Sequence, residues 1–157
     1  MRKQIVGEPT PIEEAQTSIP WLDLAKIASV ELSSEDPRFP FESVLEGGGN
    51  RGWQAAGPGR QTIRLRFDEP QRITRLRLRF LDREHERSQE FVLRYLDADG
   101  TARDIVRQQW TFSPGGSVEE VEDYTVDLNS VSGIELELDA DRGRNTLPAT
   151  LAELRIA

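Results

Sequence analysis

Apolar and charged residues alternate strictly through Gln61-Thr62-Ile63-Arg64-Leu65-Arg66-Phe67, with Ile63, Leu65 and Phe67 on one face and Arg64 and Arg66 on the other. The same period of two returns in Arg75-Leu76-Arg77-Leu78-Arg79-Phe80 and in Ile134-Glu135-Leu136-Glu137-Leu138-Asp139. Alternation of this kind marks antiparallel strands with one buried face. Strands are predicted over residues 27–33, 60–67, 73–80, 90–96, 104–112, 118–128, 133–139 and 150–156, with no stretch of helical period. The core should take Val30 and Leu32, Ile63, Leu65 and Phe67, and Leu76, Leu78 and Phe80. From the later strands it should take Phe91, Leu93, Ile134, Leu136, Leu138, Leu154 and Ile156.

The punctuation between these runs is proline, glycine and aspartate. Asp68-Glu69-Pro70-Gln71 reads as a tight turn, and Asp97-Ala98-Asp99-Gly100 as a hairpin whose Asp-Gly step supplies positive φ. Residues 41–59 are glycine-rich and read as irregular. If every connection after Arg60 reverses the chain, the turns near Asp68, Asp97 and Asn129 share one end of the molecule. The loops at 47–59, 82–88, 113–117 and 140–149 then share the other. The expectation is an all-β chain, an antiparallel β-sandwich of jelly-roll type, with its chemistry on clustered loops.

At 157 residues the chain suits one folding unit. Residues 1–24 carry Pro9, Pro11 and Pro20 and read as an extended arm, pinned by Trp21, Leu22 and Leu24; residues 25–157 form the sandwich. There is no cysteine, which removes disulfides and thiolate chemistry, and one histidine, which removes a histidine-cluster metal site. No signal peptide or membrane span is read from the sequence, so the expected location is cytoplasmic, with no membrane partner. A formal charge of −8 disfavours nucleic acid. Arginine carries nearly all the positive charge. The outward ladder Arg64, Arg66, Arg75, Arg77 and Arg79 is expected to be neutralised across strands by acids such as Glu135, Glu137 and Asp139.

In order, Val44-Leu45-Glu46-Gly47, Trp53 seven residues after Glu46, and the Ile63-Leu65-Phe67 strand form a recognisable series. The run 73–80, Phe91 to Tyr95 leading to Asp99-Gly100, and the closing Leu151-Ala152-Glu153-Leu154-Arg155-Ile156 complete it. From about Ile27 onward the chain resembles the discoidin family, or coagulation factor type C domain, within the galactose-binding-like jelly rolls. The resemblance implies a non-catalytic recognition module. Glu46 stands where that family has aspartate and Arg51 where it has threonine, and the framing cysteines of extracellular members are missing.

The resemblance also implies a structural calcium ion held by a loop carboxylate, backbone carbonyls and a glutamate near the C-terminus. Glu46 and Glu153 match those positions, with Asn50 as a further oxygen; Glu153 has the alternative role of capping loop amides. No nucleophile elbow or phosphate loop is present, so no enzyme is expected. Saccharide recognition needs polar forks and an aromatic face. The forks are offered by Arg51, Arg83, His85, Arg87, Arg142, Arg144 and Asn145. Trp53 and Trp110 read as core, which leaves the aromatic face unassigned. The leading expectation is a carbohydrate ligand at the loop end. The alternative is a protein partner, with the chain as an interaction or scaffold module resembling the N-terminal domain of a DNA-repair scaffold. The oligomeric state stays open.

Overall fold

The computed structural model describes residues 20–46 and 52–157. A four-residue helix, α1 (Leu24–Ile27), leads into β1 (Ala28–Leu32), and a 3₁₀ turn follows at Phe41–Leu45. Then come β2 (Trp53–Pro58), β3 (Gln61–Leu81), β4 (Arg87–Leu96) and β5 (Ala102–Phe112). The chain closes with β6 (Glu119–Asp139), β7 (Pro148–Leu151) and β8 (Glu153–Ile156). The main ladder runs β1-β3-β6-β4-β5 with β8 also on β3, while β2 and β7 pair separately, all antiparallel.

Two elements differ from the sequence expectation in the same way. Asp68–Gln71 does not close a hairpin, and neither does the region of Asn129. Residues 61–81 and 119–139 are single long strands paired with each other almost throughout, from Gln61↔Leu138 to Leu81↔Glu119. Register shifts fall between Arg66 and Arg75, opposite Ser130 with φ 53°. A straight 21-residue strand would span roughly 70 Å. Yet Arg87 touches both Asp82, at the end of β3, and the carbonyl of Ala140, which follows the partner of Gln61. Both strands therefore fold over together at this corner and pass from one layer to the other. Proline is tolerated there because the bulged positions do not need its missing N–H.

The folded pair encloses the core. Ile63, Leu65 and Phe67 from one limb, and Ile73, Leu76, Leu78 and Phe80 from the other, lie in one buried cluster with Phe91, Leu93, Ile134, Leu136, Leu138, Leu154 and Ile156. Phe80 and Phe91 stack at 5.4 Å across the layers. Val30 and Leu32 are half-buried at the edge. Burial of each large apolar side chain contributes about 1.5–3 kcal/mol, so the alternating pattern is what drives this arrangement.

Residues 53–58 form a strand, where the glycine-rich stretch read as irregular; it pairs with β7 through Trp53↔Leu151. The final strand divides at Ala152, whose N–H donates to Arg79 O, so that β7 and β8 join different partners. Of the N-terminal arm, residues 1–19 lie outside the described residues. Trp21 lies under the Arg75 guanidinium at 4.7 Å, Leu22 N–H donates to Ile156 O, and Leu24 is buried.

The arginine ladder is neutralised. Arg64 and Arg94 share Glu135, Arg94 and Arg60 share Glu137, and Arg66 meets Glu31. On the other limb Arg75 and Arg77 meet Asp123, Arg77 also meets Glu153, and Arg79 meets Glu119.

Candidate functional site

The loop after β3 is organised by one carboxylate. Asp82 accepts hydrogen bonds from the backbone N–H of Glu84 at 2.9 Å and of His85 at 3.1 Å, an aspartate turn. It also takes Arg87 Nε at 2.7 Å and stands 3.2 Å from His85 Nδ1. Burial opposes ionisation of Asp82, but the bonds from Arg87 and the two amides outweigh it and hold its carboxyl below the ordinary range. Arg87 is itself buried, donating through Nη1 to Gln89 Oε1 and Ala140 O and lying 4.4 Å above the Phe112 ring. Beneath it Gln89 Nε2 donates to the buried Glu120. Burial, then the neighbouring Glu122, pushes the Glu120 carboxyl up to about 8.

The loop after β6 is built similarly around Asp141, which accepts from Thr146 N and Oγ1, while its carbonyl takes the N–H of Asn145. Burial again works against the charge, and the Thr146 bonds with Arg144 prevail, so the Asp141 carboxyl is lowered. The two loops are tied together: Arg142 N–H donates to Ser88 O, and the Arg144 guanidinium to Glu86 O. Asn145 has φ 56° and serves the turn. Arg142 is exposed on the side of Glu90, whose carboxyl is lowered by Gln109 first, against burial, and then by Arg142 and Arg107.

Between these loops lies a cavity of about 330 Å³ lined by Phe39, Gln54, Leu81, Asp82, Arg83, Glu84, His85, Arg87, Leu147, Pro148 and Thr150. Of the residues anticipated from sequence, Arg83, His85 and Arg87 line it, Arg87 as part of its buried support. Arg142, Arg144 and Asn145 are not on its wall, and Arg51 lies outside the described residues. Among the described arginines only Arg83 and Arg142 have no carboxylate within ion-pair distance. Thr150 Oγ1 is buried at the cavity without a hydrogen-bond partner.

Phe39 and Gln54 were not anticipated. Asp36, lowered to about 2 chiefly by its hydrogen bonds from Arg38, anchors the short proline-flanked loop. Gln54 N–H then donates to Phe39 O and Asp36 N–H to Gln54 O, fixing this loop to β2. Phe39 is the aromatic residue on the cavity lining, with the Arg38 guanidinium 5.4 Å from its ring centroid. Trp53 is fully buried with Nε1 donating to Ser34 O, and Trp110 packs edge-on to Phe112 at 6.5 Å.

Of the donors considered for calcium, Glu153 is held by two arginines. Glu153 Oε1 accepts from Arg77 Nε at 3.1 Å, and its Oε2 stands 3.5 Å from Arg155 Nε. Arg155 Nη1 donates to Leu45 O at 2.8 Å. Glu46 follows Leu45, and Asn50 lies outside the described residues. Glu153 is thus engaged by two guanidinium groups, and no cluster of three or more metal-binding side chains occurs among the described residues.

No family model and no curated protein matches the chain. Solved structures do. A family 32 carbohydrate-binding module of NanJ from Clostridium perfringens, in complex with galactose, superposes with TM-score 0.59 at 13% identity, covering 87% of this chain and 96% of that one. Another from the same organism, in complex with GalNAc-β-1,3-galactose, gives 0.56 at 16%, covering 87% and 99%. The family 32 module of AlyQ, in complex with 4,5-unsaturated mannuronic acid, gives 0.55 at 16%, covering 88% and 98%. At these identities the likeness establishes the fold, a galactose-binding-like jelly-roll sandwich.

Proposed function

We propose that the protein is a non-catalytic carbohydrate-binding module that seats a saccharide in the cavity between the 82–88 and 140–150 loops. One observation carries the reading: a preorganised cavity combines a guanidinium without a carboxylate partner, on Arg83, with an aromatic residue, Phe39, on its lining. Arg83 offers a planar fork for adjacent sugar hydroxyls. Phe39, with Leu147 and Pro148, presents an apolar surface to the C–H face of a sugar ring. Because Asp82 and Arg87 already fix the loop, little ordering cost falls on binding. The ligands of the solved relatives, galactose, a GalNAc-galactose disaccharide and an unsaturated uronic acid, support the class without choosing the sugar.

Each exchanged hydrogen bond contributes only about 1 kcal/mol net, so single-site affinity should be weak, with Kd on the order of 0.1–1 mM. A glycan array followed by calorimetric titration with the best hit tests the reading. The expected result is saturable binding that Arg83→Ala removes. A blank array with and without calcium, beside recovery of a stoichiometric protein partner, would replace this reading with the interaction-module one.

A further inference from the structure

We propose that Arg155 is a built-in cation occupying the place where the family resemblance puts a calcium ion, so that this corner of the fold closes without metal. The inference concerns the base of the glycine-rich loop and does not depend on what fills the cavity. The carbonyl of Leu45, the last residue of the 3₁₀ turn, is one that such a turn leaves without an internal donor. A positive charge at that end is favourable. Arg155 supplies both donor and charge through Nη1 at 2.8 Å, and its Nε stands 3.5 Å from Glu153 Oε2. One planar guanidinium thereby spans a carbonyl from the turn and a carboxylate on β8, which no single ammonium does as well. The other oxygen of Glu153 is taken by Arg77, which also reaches Asp123 at 3.5 Å.

A calcium ion bonding to the same two oxygens would sit about 2.3–2.6 Å from each, in the space the guanidinium fills and against its charge. Glu46 and Arg155 line the same cavity, with Leu45 and Trp21. The roles an ion would play, joining the turn to the last strand and offsetting carboxylate charge, are thus carried by a covalently attached group.

The test is thermal denaturation of the full chain with millimolar calcium chloride and with EDTA. The expected midpoint is the same in both, since a ligand that does not bind the native state adds no mass-action stabilisation. Arg155→Gln should lower the midpoint by several degrees, and added calcium should then recover part of the loss, because Leu45 O and Glu153 Oε2 are released. Arg155→Lys should fall between the two. A wild-type midpoint that rises with calcium or falls with EDTA would overturn the proposal. So would an Arg155→Gln midpoint equal to wild type, or one lowered yet insensitive to calcium. Should Arg155→Gln fail to fold, titration calorimetry of the wild-type chain with calcium chloride decides: no binding heat supports the proposal, and saturable binding refutes it.

Discussion

Glu120 is the residue whose chemistry is most at odds with its surroundings. It is fully buried between the exposed Glu119 and Val121, bonded through one oxygen to Gln89 and left without a hydrogen-bond partner on the other. Its carboxyl ordinarily titrates at 4.5 and here at about 8, burial being the main cause. Between those values the folded chain keeps a proton that the unfolded chain has released. Stability from this site is therefore complete below 4.5 and drains away as pH rises through about 8. Glu120→Gln preserves the Gln89 bond and cannot ionise. In urea titrations it should match wild type near pH 5 and exceed it near pH 9 by about 1–3 kcal/mol; parallel pH profiles would show that Glu120 is charged in the fold. At the cavity, Arg83→Ala and Phe39→Ala should each weaken saccharide binding about tenfold or more with the melting point nearly unchanged. Arg142→Ala should bind as wild type, since Arg142 lies off the cavity wall. Loss of binding in Arg142→Ala and not in Arg83→Ala would move the site to the other side of the loops.

Among the elements, β2 depends at its start on a glycine that no other residue replaces. Gly52 has φ +76°, and a Cβ there would stand 2.0 Å from the Leu151 carbonyl oxygen and 2.8 Å from Ala152 Cα, both backbone atoms at the end of β7. Gly52→Ala should cost about 2–4 kcal/mol in denaturant unfolding, whereas Gly57→Ala, with open space around it, should stay within about 0.5 kcal/mol. An equal effect at both positions would contradict the close approach of β2 to β7. The strands with one buried face were legible because a register error of one residue would turn Ile63, Leu65 and Phe67 to solvent. The corner was not legible. Pro70 signals a break locally, but whether the chain makes a hairpin or folds over depends on the matching irregularity at Ser130, some sixty residues away. β2 escaped notice because Trp53-Gln54-Ala55-Ala56-Gly57-Pro58 has little alternation and is a strand only through its pairing with β7. At the site, Arg83 and Arg87 look equivalent in a polar loop, and only burial separates a free fork from a structural one. Phe39 gave no periodic signal at all; the backbone of Gln54 places it.

As a whole the molecule is dressed in ion pairs, and several of their carboxyls titrate low. Glu137 is lowered by Arg94 first, against burial, and then by Arg60, and Asp123 by Arg75 against burial with Arg77 adding to it. A carboxyl depressed in the folded state contributes stability above its unfolded pKa and loses it as pH falls through the folded value. With Glu120 acting in the opposite direction, the melting midpoint should be highest between about pH 5 and 7 and decline on both sides, the acid decline growing steeper as salt is removed. A midpoint rising steadily from neutral pH to pH 10 would show that the alkaline branch is absent. The folded-over β3–β6 pair has a consequence for motion. Most sandwiches are two sheets held by side-chain packing, so one layer can open while the other persists. Here a continuous hydrogen-bonded ribbon runs through both layers, so neither can peel away without dragging the corner with it. Amide exchange at residues 63–66 and 76–80 should accordingly proceed at a common rate through one global opening, as though the two layers were a single sheet of cloth folded once and exchanging only when unfolded.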